Sequence, residues 1–285
     1  MAFLCPLETP AAHSSIAIGR NLRVTYIHYG KVASREANSV HIMKMSQALQ
    51  QEGHRTTLIV PRLREYSPTE ETENLWTHYG VSSPFELERI EVPPYRWASR
   101  RDHTFALKSV RAAANLATEL VFTRHVYTAM YASLRGIPTI YEAHGPLIAG
   151  RLGWLYLAAL FHGSGFRRLV VITEAGRRAF VGDKLPSDHV VVAPDGVDLE
   201  RFESLLSRDV LREQLGWQAT DLVACYCGHL YPGRGIEIIL QVAERVPAAR
   251  FVIIGGREED ITACTRQARA RGLQNVDFLG FLPNA

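Results

Sequence analysis

The chain has 285 residues, 47% hydrophobic and 21% charged, with a formal net charge of +3. That length accommodates two domains of ordinary size, and the composition excludes a disordered chain. A charge so close to neutral also lacks the electrostatic footprint of a nucleic-acid binder.

The first segment, MAFLCPLETPAAHSSIAIGRN, has no basic stretch followed by an apolar one, so it is not a secretory signal. Residues 1–21 are expected to form a loose leader. The strand candidates that follow are LRVTYIH (22–28), RTTLIV (55–60), ELVFT (119–123), PTIYE (138–142), RLVVI (168–172) and HVVVA (189–193). Between the first two, ANSVHIMKMSQALQQEGH carries a helical stripe of Ile42, Met45 and Leu49, broadened by Val40 and Met43, with Gly53 as the stop. The strands are near-continuous apolar runs, as a parallel sheet covered on both faces requires. Region 61–103 contains Pro61, Pro68, Pro84, Pro93 and Pro94 and reads as long loops. WLYLAALF (154–161) reads as a helix buried in the domain, since it is far short of the ~20 residues of a membrane span. Residues 22–193 thus form one doubly wound α/β domain.

After APDGVD (193–198) the pattern restarts with DLVACYC (221–227), RFVII (250–254) and NVDFL (275–279). Ile236, Ile239, Leu240, Ala243 and Val246 mark one face of a helix between the first two. Residues 194–285 are expected to be a second, partial domain, since doubly wound nucleotide-binding sheets usually have five or six strands. Cysteines stand at 5, 225, 227 and 264. No second Cys or His pair has zinc spacing, so they read as reduced, buried thiols, with Cys225 and Cys227 on one face of a strand.

Neither a G-x-G-x-x-G nor a G-x-x-x-x-G-K-[ST] motif is present. A different loop merits attention, in CYCGHLYPGRGIEIIL (225–240). A strand leads into a turn bracketed by Gly228 and Gly235, carrying His229 and Arg234, and then into a helix. Such a helix N-terminus, at the carboxyl end of a strand, offers free N–H groups and partial positive charge, and Arg234 can grip two phosphate oxygens. The set suits a diphosphate. It suits equally an ordinary turn with a solvated arginine.

The stretch GHLYPGRGIEIIL, with FVIIGG and NVDFLGFLPNA after it, resembles the donor domain of family 4 glycosyltransferases. VVVAPDGVDLERF (190–202) is similar to that family's P-N-G-V-D-x-x-x-F junction, with Asp195 in place of Asn. VFTRHVYTAMYASLRGIPTIYEAHGP, VVITEAGRRAF (Thr173 for Ser) and SVHIMKMSQALQQEGHRTTLIV extend the resemblance over residues 22–285. It implies a GT-B fold of two Rossmann-like doubly wound domains, the second incomplete. It also implies retaining transfer of a sugar from a nucleoside diphosphate sugar to a hydroxyl of a glycan, lipid or small-molecule acceptor.

By the same resemblance His144 faces the donor sugar, although a lone histidine is ordinarily structural. Gly228, His229, Arg234 and Gly235 hold the donor diphosphate. His229 stands at the family's arginine position, where a histidine carries only part of a positive charge, and Arg234 at its lysine position. Gly256 and Phe281 border the nucleobase. Asp195 and Asp198 shape the turn and hinge. The family's Glu-x7-Glu pair has no counterpart in the second domain; Glu65 and Glu73 have that spacing by coincidence.

No D-x-D motif is present, and neither metal nor cofactor is implied, the nucleotide sugar being a co-substrate. The implied location is cytoplasmic. The basic residues of 96–135 are compatible with peripheral contact with an anionic inner membrane face, with an acidic glycan, or with a solvated helix surface. Two alternatives stay open: a nucleotide-sugar 2-epimerase of the same fold, and a non-catalytic nucleotide-sugar-binding remnant.

Overall fold

The computed structural model describes residues 20–32, 34, 36–62, 75–93, 98–144, 151–180, 185–199, 202 and 206–282. Most of the expected leader, with Cys5, lies outside these residues, as do Glu65, Glu73 and Arg96. The chain forms two compact units that divide after Asp195.

In the first unit, strands β1 (Arg23–Ile27), β2 (Arg55–Arg62), β3 (Glu86–Glu91), β4 (Leu120–Thr123), β5 (Thr139–Ala143), β6 (Phe166–Val171) and β7 (Val190–Val192) make one sheet in the order 3-2-1-4-5-6-7. All its ladders are parallel. The connecting helices are α1 (Ala37–Gln51), α2 (Leu75–His78), α3 (Ala98–Asn115), α4 (Val126–Leu134), α5 (Arg151–His162) and α6 (Glu174–Phe180).

Successive strand residues point to opposite faces, and each face has its own core. Tyr26, Leu58 and Val60 pack against Ile42 and Met43 of α1, with Phe122 beside them. Their neighbours Ile27, Ile59 and Val121 pack on the other side against Phe105 and Val110 of α3 and Ala132 of α4. Farther along, Tyr141, Leu169 and Val171 meet Met130 of α4 and Leu157 and Leu160 of α5. Full burial of each such side chain contributes about 1.5–3 kcal/mol, which is why alternate residues of the central strands are apolar on both sides.

Three expectations are corrected here. Region 61–103 is not merely loop: it contains the end of β2, α2, β3 and the start of α3. The prolines do not prevent this, because Pro61 sits within β2 opposite Ile90 of β3, and Pro84 and Pro93 fall outside strands, while Pro68 and Pro94 lie outside the described residues. The buried stripe of α1 is Ser39, Ile42, Met43, Ser46 and Gln47 rather than Ile42, Met45 and Leu49. Small and polar residues enter it because they bond locally; Ser46 donates to the Ile42 carbonyl and Gln47 accepts from the Ser82 amide. Finally, α5 is only half-buried, with Leu157 and Leu160 inside and Trp154 and Leu155 outside.

The second unit contains α7 (Arg208–Gln214), β8 (Leu222–Cys227), α8 (Ile236–Arg245), β9 (Ala249–Ile254), α9 (Glu258–Ala270) and β10 (Val276–Gly280). Its parallel sheet runs β10-β9-β8. Ile236 and Leu240 of α8 and Cys264 and Ala268 of α9 pack over Ile253, with Leu230 from the loop after β8. Ala243 belongs to the same face of α8, but Val246 lies past the helix end and is exposed.

Cys225 and Cys227 pair with Val252 and Ile254, which puts them on the face opposite Tyr226 and Ile253. Those two thiols are exposed, contrary to expectation, because β8 is an edge strand and the helices cover the other face. Cys264 is buried as expected. Among the described residues no helix is long and apolar enough to cross a membrane.

Candidate functional site

In the first unit β1 lies between β2 and β4, so the chain winds away from it in both directions. Ligands of open parallel sheets bind outside the strand carboxyl ends at such a switch point. The residues there are His28 after β1, Arg124 and His125 after β4, His144 after β5, and Asp195 beyond β7.

His144 and Glu142 are two residues apart at the end of β5. Extended backbone puts both on one face, the face bearing Phe122 and covered by α1. There they meet His41 on the first turns of α1. The Glu142 side chain is 3% exposed, and its Oε1 contacts His144 Nε2. The same oxygen lies 3.3 Å from His41 Nε2 and 3.9 Å from Arg124 Nε. The His41 contact is charge proximity rather than a well-aligned hydrogen bond. On its other side, His41 Nδ1 is 3.4 Å from Asp195 Oδ1, which stands 3.9 Å from His144 Nε2. The His41 and His144 rings meet edge-on, with centroids 5.3 Å apart.

Burial pushes the Glu142 carboxyl upward, but its contacts with His41 and His144 and the nearby Arg124 charge outweigh that, so it is held below the ordinary carboxylate value. It is a buried anion ringed by cation-forming groups. His28 is 5% exposed, and its Nε2 pairs with the Asn38 amide at 3.0 Å. Burial, with Arg124 and His41 adding to it, lowers His28 to about 4. His125, paired with Thr128 Oγ1 at 2.9 Å, is lowered by burial to about 3. Both stay neutral near pH 7.

His41, Glu142, His144 and Asp195 bring four ligand atoms within 4.8 Å of one another, a spacing that a metal ion can share. Two features oppose a cation: His144 Nε2 already bonds to Glu142, and the Arg124 guanidinium faces the same oxygen. The arrangement is a buried carboxylate hydrogen-bonded to His144 and flanked by His41 and Arg124. Asp195, expected to shape the turn and hinge, also reaches His41 and His144. His144 was named from sequence; His41, Glu142, Arg124 and His28 were not. The alternation in YEAH held the signal for Glu142, whereas the pairing of His41 with it depends on how α1 packs.

The second unit places its predicted residues along one sheet edge. Gly228 ends β8 and donates to the Ile254 carbonyl, while Gly255 donates to Gly280. A Cβ on Gly255 would lie 2.4 Å from the Gly228 carbonyl oxygen, so these turns touch through backbone. Gly256 packs against Leu230, and Phe281 follows β10 at 39% exposure. Gly235 caps α8 with φ +81°, the left-handed region that favours glycine, and a Cβ there would meet nothing within 4 Å. Arg234 precedes it, exposed, with its guanidinium 4.6 Å from the Tyr231 ring centroid and bonded to the Tyr231 hydroxyl. The His229 ring lies 5.5 Å from that of Tyr231, and the His229 carbonyl accepts from Tyr226 Oη at 2.8 Å. Open space therefore lies before a helix N-terminus flanked by Arg234. Glu237, in the first turn of α8, is the one acidic group there that opposes an anion.

The protein-family model of Glycosyltransferase Family 4 matches residues 39–201, more than half of the chain. None of the curated proteins matches it in sequence. Among solved structures, Anabaena HepE in complex with UDP is 15% identical with a TM-score of 0.65, covering 92% of this chain and 70% of that one. A glycosyltransferase from Rickettsia africae is 13% identical with a TM-score of 0.65, covering 91% and 69%. The UDP-GlcNAc 2-epimerase from Neisseria meningitidis, bound to UDP-GlcNAc, is 13% identical with a TM-score of 0.60, covering 92% and 73%. At these identities the likeness establishes a GT-B fold with Rossmann-like parallel sheets. From the family match and this fold together, the chain belongs to Glycosyltransferase Family 4.

Proposed function

We propose that the chain transfers a sugar, with retention at the anomeric carbon, from a nucleoside diphosphate sugar to a hydroxyl of a glycan, lipid or small-molecule acceptor. The observation that carries this reading is the loop of residues 228–235. A left-handed Gly235 opens the N-terminus of α8 to empty space, with Arg234 beside it. Departure of the diphosphate is the difficult step, and fixed positive charge at the leaving group stabilises what develops there. The reading assigns that role to Arg234 and the helix N-terminus, with Gly228, His229 and Gly235 shaping the turn and no metal taking part. Gly256 and Phe281 border the base, and His144 meets the donor sugar. That solved neighbours contain UDP and UDP-glucose supports a uridine nucleotide as the first ligand to test.

Calorimetric titration with UDP-glucose tests the assignment. Arg234→Ala removes a charge-assisted contact of about 1.5–3 kcal/mol, so affinity is expected to fall about tenfold to hundredfold. Unchanged affinity refutes the role. The epimerase neighbours favour one second reading. Incubation with UDP-GlcNAc alone separates the two, because an epimerase interconverts it and a transferase does not. The reading places the protein in the cytoplasm, with exposed Arg100, Arg101, Lys108 and Arg111 of α3 toward anionic lipid. Liposome flotation with and without anionic lipid checks this, and salt-insensitive or absent binding removes it.

A further inference from the structure

We propose that Glu142 is a positioning residue: it fixes the His144 imidazole through Nε2, so that Nδ1 is the nitrogen presented to the sugar donor. The proposal rests on the role given to His144 above.

The first argument is the cost of Glu142. On its face of the sheet the neighbouring strand positions are Phe122, Ile140, Val170 and the exposed Arg168, so an apolar side chain at position 142 would satisfy packing. A carboxylate is present instead, 3% exposed. Burying an ionised carboxylate is unfavourable unless it is paired and hydrogen-bonded, and removing one partner of such a pair is strongly destabilising. Among the described residues its second oxygen, Oε2, is buried without a hydrogen-bond partner, a cost that an apolar side chain would not carry. Its first oxygen serves the histidines.

The second argument is geometric. Oε1 accepts from His144 Nε2, so that nitrogen holds the proton and is directed into the protein. Turning the ring over would cost the buried carboxylate the hydrogen bond it receives from His144, leaving only the charge proximity of His41 and Arg124. Only the Nδ1 edge of a 22% exposed side chain remains for a ligand. Other charged and titratable groups surround Glu142. His41 from α1 flanks the same oxygen, Arg124 after β4 faces it, and Asp195 after β7 holds His41 from behind. Tyr26 and His28 from β1 complete the surroundings and feel the Glu142 charge, but Tyr26 is kept protonated and His28 neutral by burial.

The test is a proton and nitrogen magnetic resonance spectrum of the imidazole groups, with the His144 signals identified by their loss in His144→Ala. The parent chain is expected to show a far-downfield, slowly exchanging proton on His144 Nε2. Glu142→Gln replaces the charged acceptor by a neutral one, so the proton should move upfield or exchange too fast to observe. Glu142→Asp should restore it in part. Should Glu142→Gln not fold, the parent spectrum still decides. A proton protected at Nδ1, or none protected at Nε2, overturns the proposal, as does a spectrum unmoved by Glu142→Gln. So does a divalent ion retained in equimolar amount whose removal by chelator moves the His144 signals, since the four side chains would then be ligands.

In a second arm UDP-glucose is added. The parent Nδ1 resonance should shift while the Nε2 proton stays, and Glu142→Gln, at UDP-glucose concentrations that saturate it by calorimetry, should lose the Nδ1 response. An Nδ1 response retained in Glu142→Gln counts against the proposal. If UDP-glucose does not bind the parent at all, calorimetry refutes the functional reading, while the ligand-free spectrum still settles the place of Glu142.

Discussion

Acidification is expected to destabilise the first unit through the buried His28 and the half-buried His125, and the size follows from their surroundings. His28 falls from an ordinary 6.5 to about 4 and His125 from 6.5 to about 3, in both cases chiefly by burial. Folded values below the unfolded ones mean that the unfolded chain binds more protons through the interval between them. Stability is thus full above about 6.5 and declines as pH falls toward the folded values. At about pH 5 each histidine is ~1.5 units below its unfolded value, which at 1.36 kcal/mol per unit is about 2 kcal/mol each. The two rings repel one another when charged, so their sum is best bracketed between about 2 and 4 kcal/mol, a large part of an ordinary domain stability of 5–15 kcal/mol. Glu142 adds nothing in this interval. Its folded value lies below 4.5, so its contribution is lost only at lower pH. Urea unfolding followed by circular dichroism at about pH 8 and about pH 5 measures the difference. His125→Gln keeps a polar partner for Thr128 and removes one titration, so its pH difference should shrink by about 2 kcal/mol. The same difference in parent and variant would refute the reasoning.

Steric predictions follow from two glycines and three thiols. Gly30→Ala would put a Cβ 2.2 Å from His28 Nε2, and displacing that buried ring should cost about 1–3 kcal/mol in urea unfolding. Gly255→Ala faces both φ +101° and a backbone oxygen 2.4 Å away, so the second unit should lose its native hydrogen-exchange protection in β8 and β9. Native-state alkylation followed by peptide mapping should label Cys225 and Cys227 quickly and Cys264 only on unfolding, since burial both shields that thiol and pushes its pKa up. Equal labelling of all three would contradict the edge position of β8.

The central strands of both sheets were readable because buried parallel strands are apolar on both faces, and such runs stand out: RTTLIV and RFVII need no context. What the sequence concealed was structure without that signature. β3, ELERIE, is an edge strand with one inward apolar residue buried, Ile90, and of its charges Glu86 pairs with Arg55 of β2. An edge strand need satisfy only one neighbour, so its pattern resembles that of a polar loop. The misassigned stripe of α1 has a related origin. Ser39, Ser46 and Gln47 are buried because each finds a nearby backbone or side-chain partner, and a hydrophobicity pattern cannot register a polar residue that is satisfied locally.

The site was legible in proportion to how local it is. The turn of residues 228–235 is one continuous piece of chain, and its glycines, its arginine and its helix start all lie within eight letters. The cluster around His144 draws on α1, the ends of β4 and β5, and the segment after β7, so its residues are up to 154 positions apart, from His41 to Asp195. Nothing in the letters around His41 marks it: it sits one residue before the buried Ile42, on a helix whose other neighbours serve the core. What could have been read is the pair Glu142–His144. In a strand otherwise apolar on that face, an acidic residue two positions before a histidine is costly unless the two meet, and alternation alone says they do. A buried charge inside an apolar run is therefore the stronger pointer to a site, since a histidine at a strand end has many structural uses whereas a carboxylate there has few.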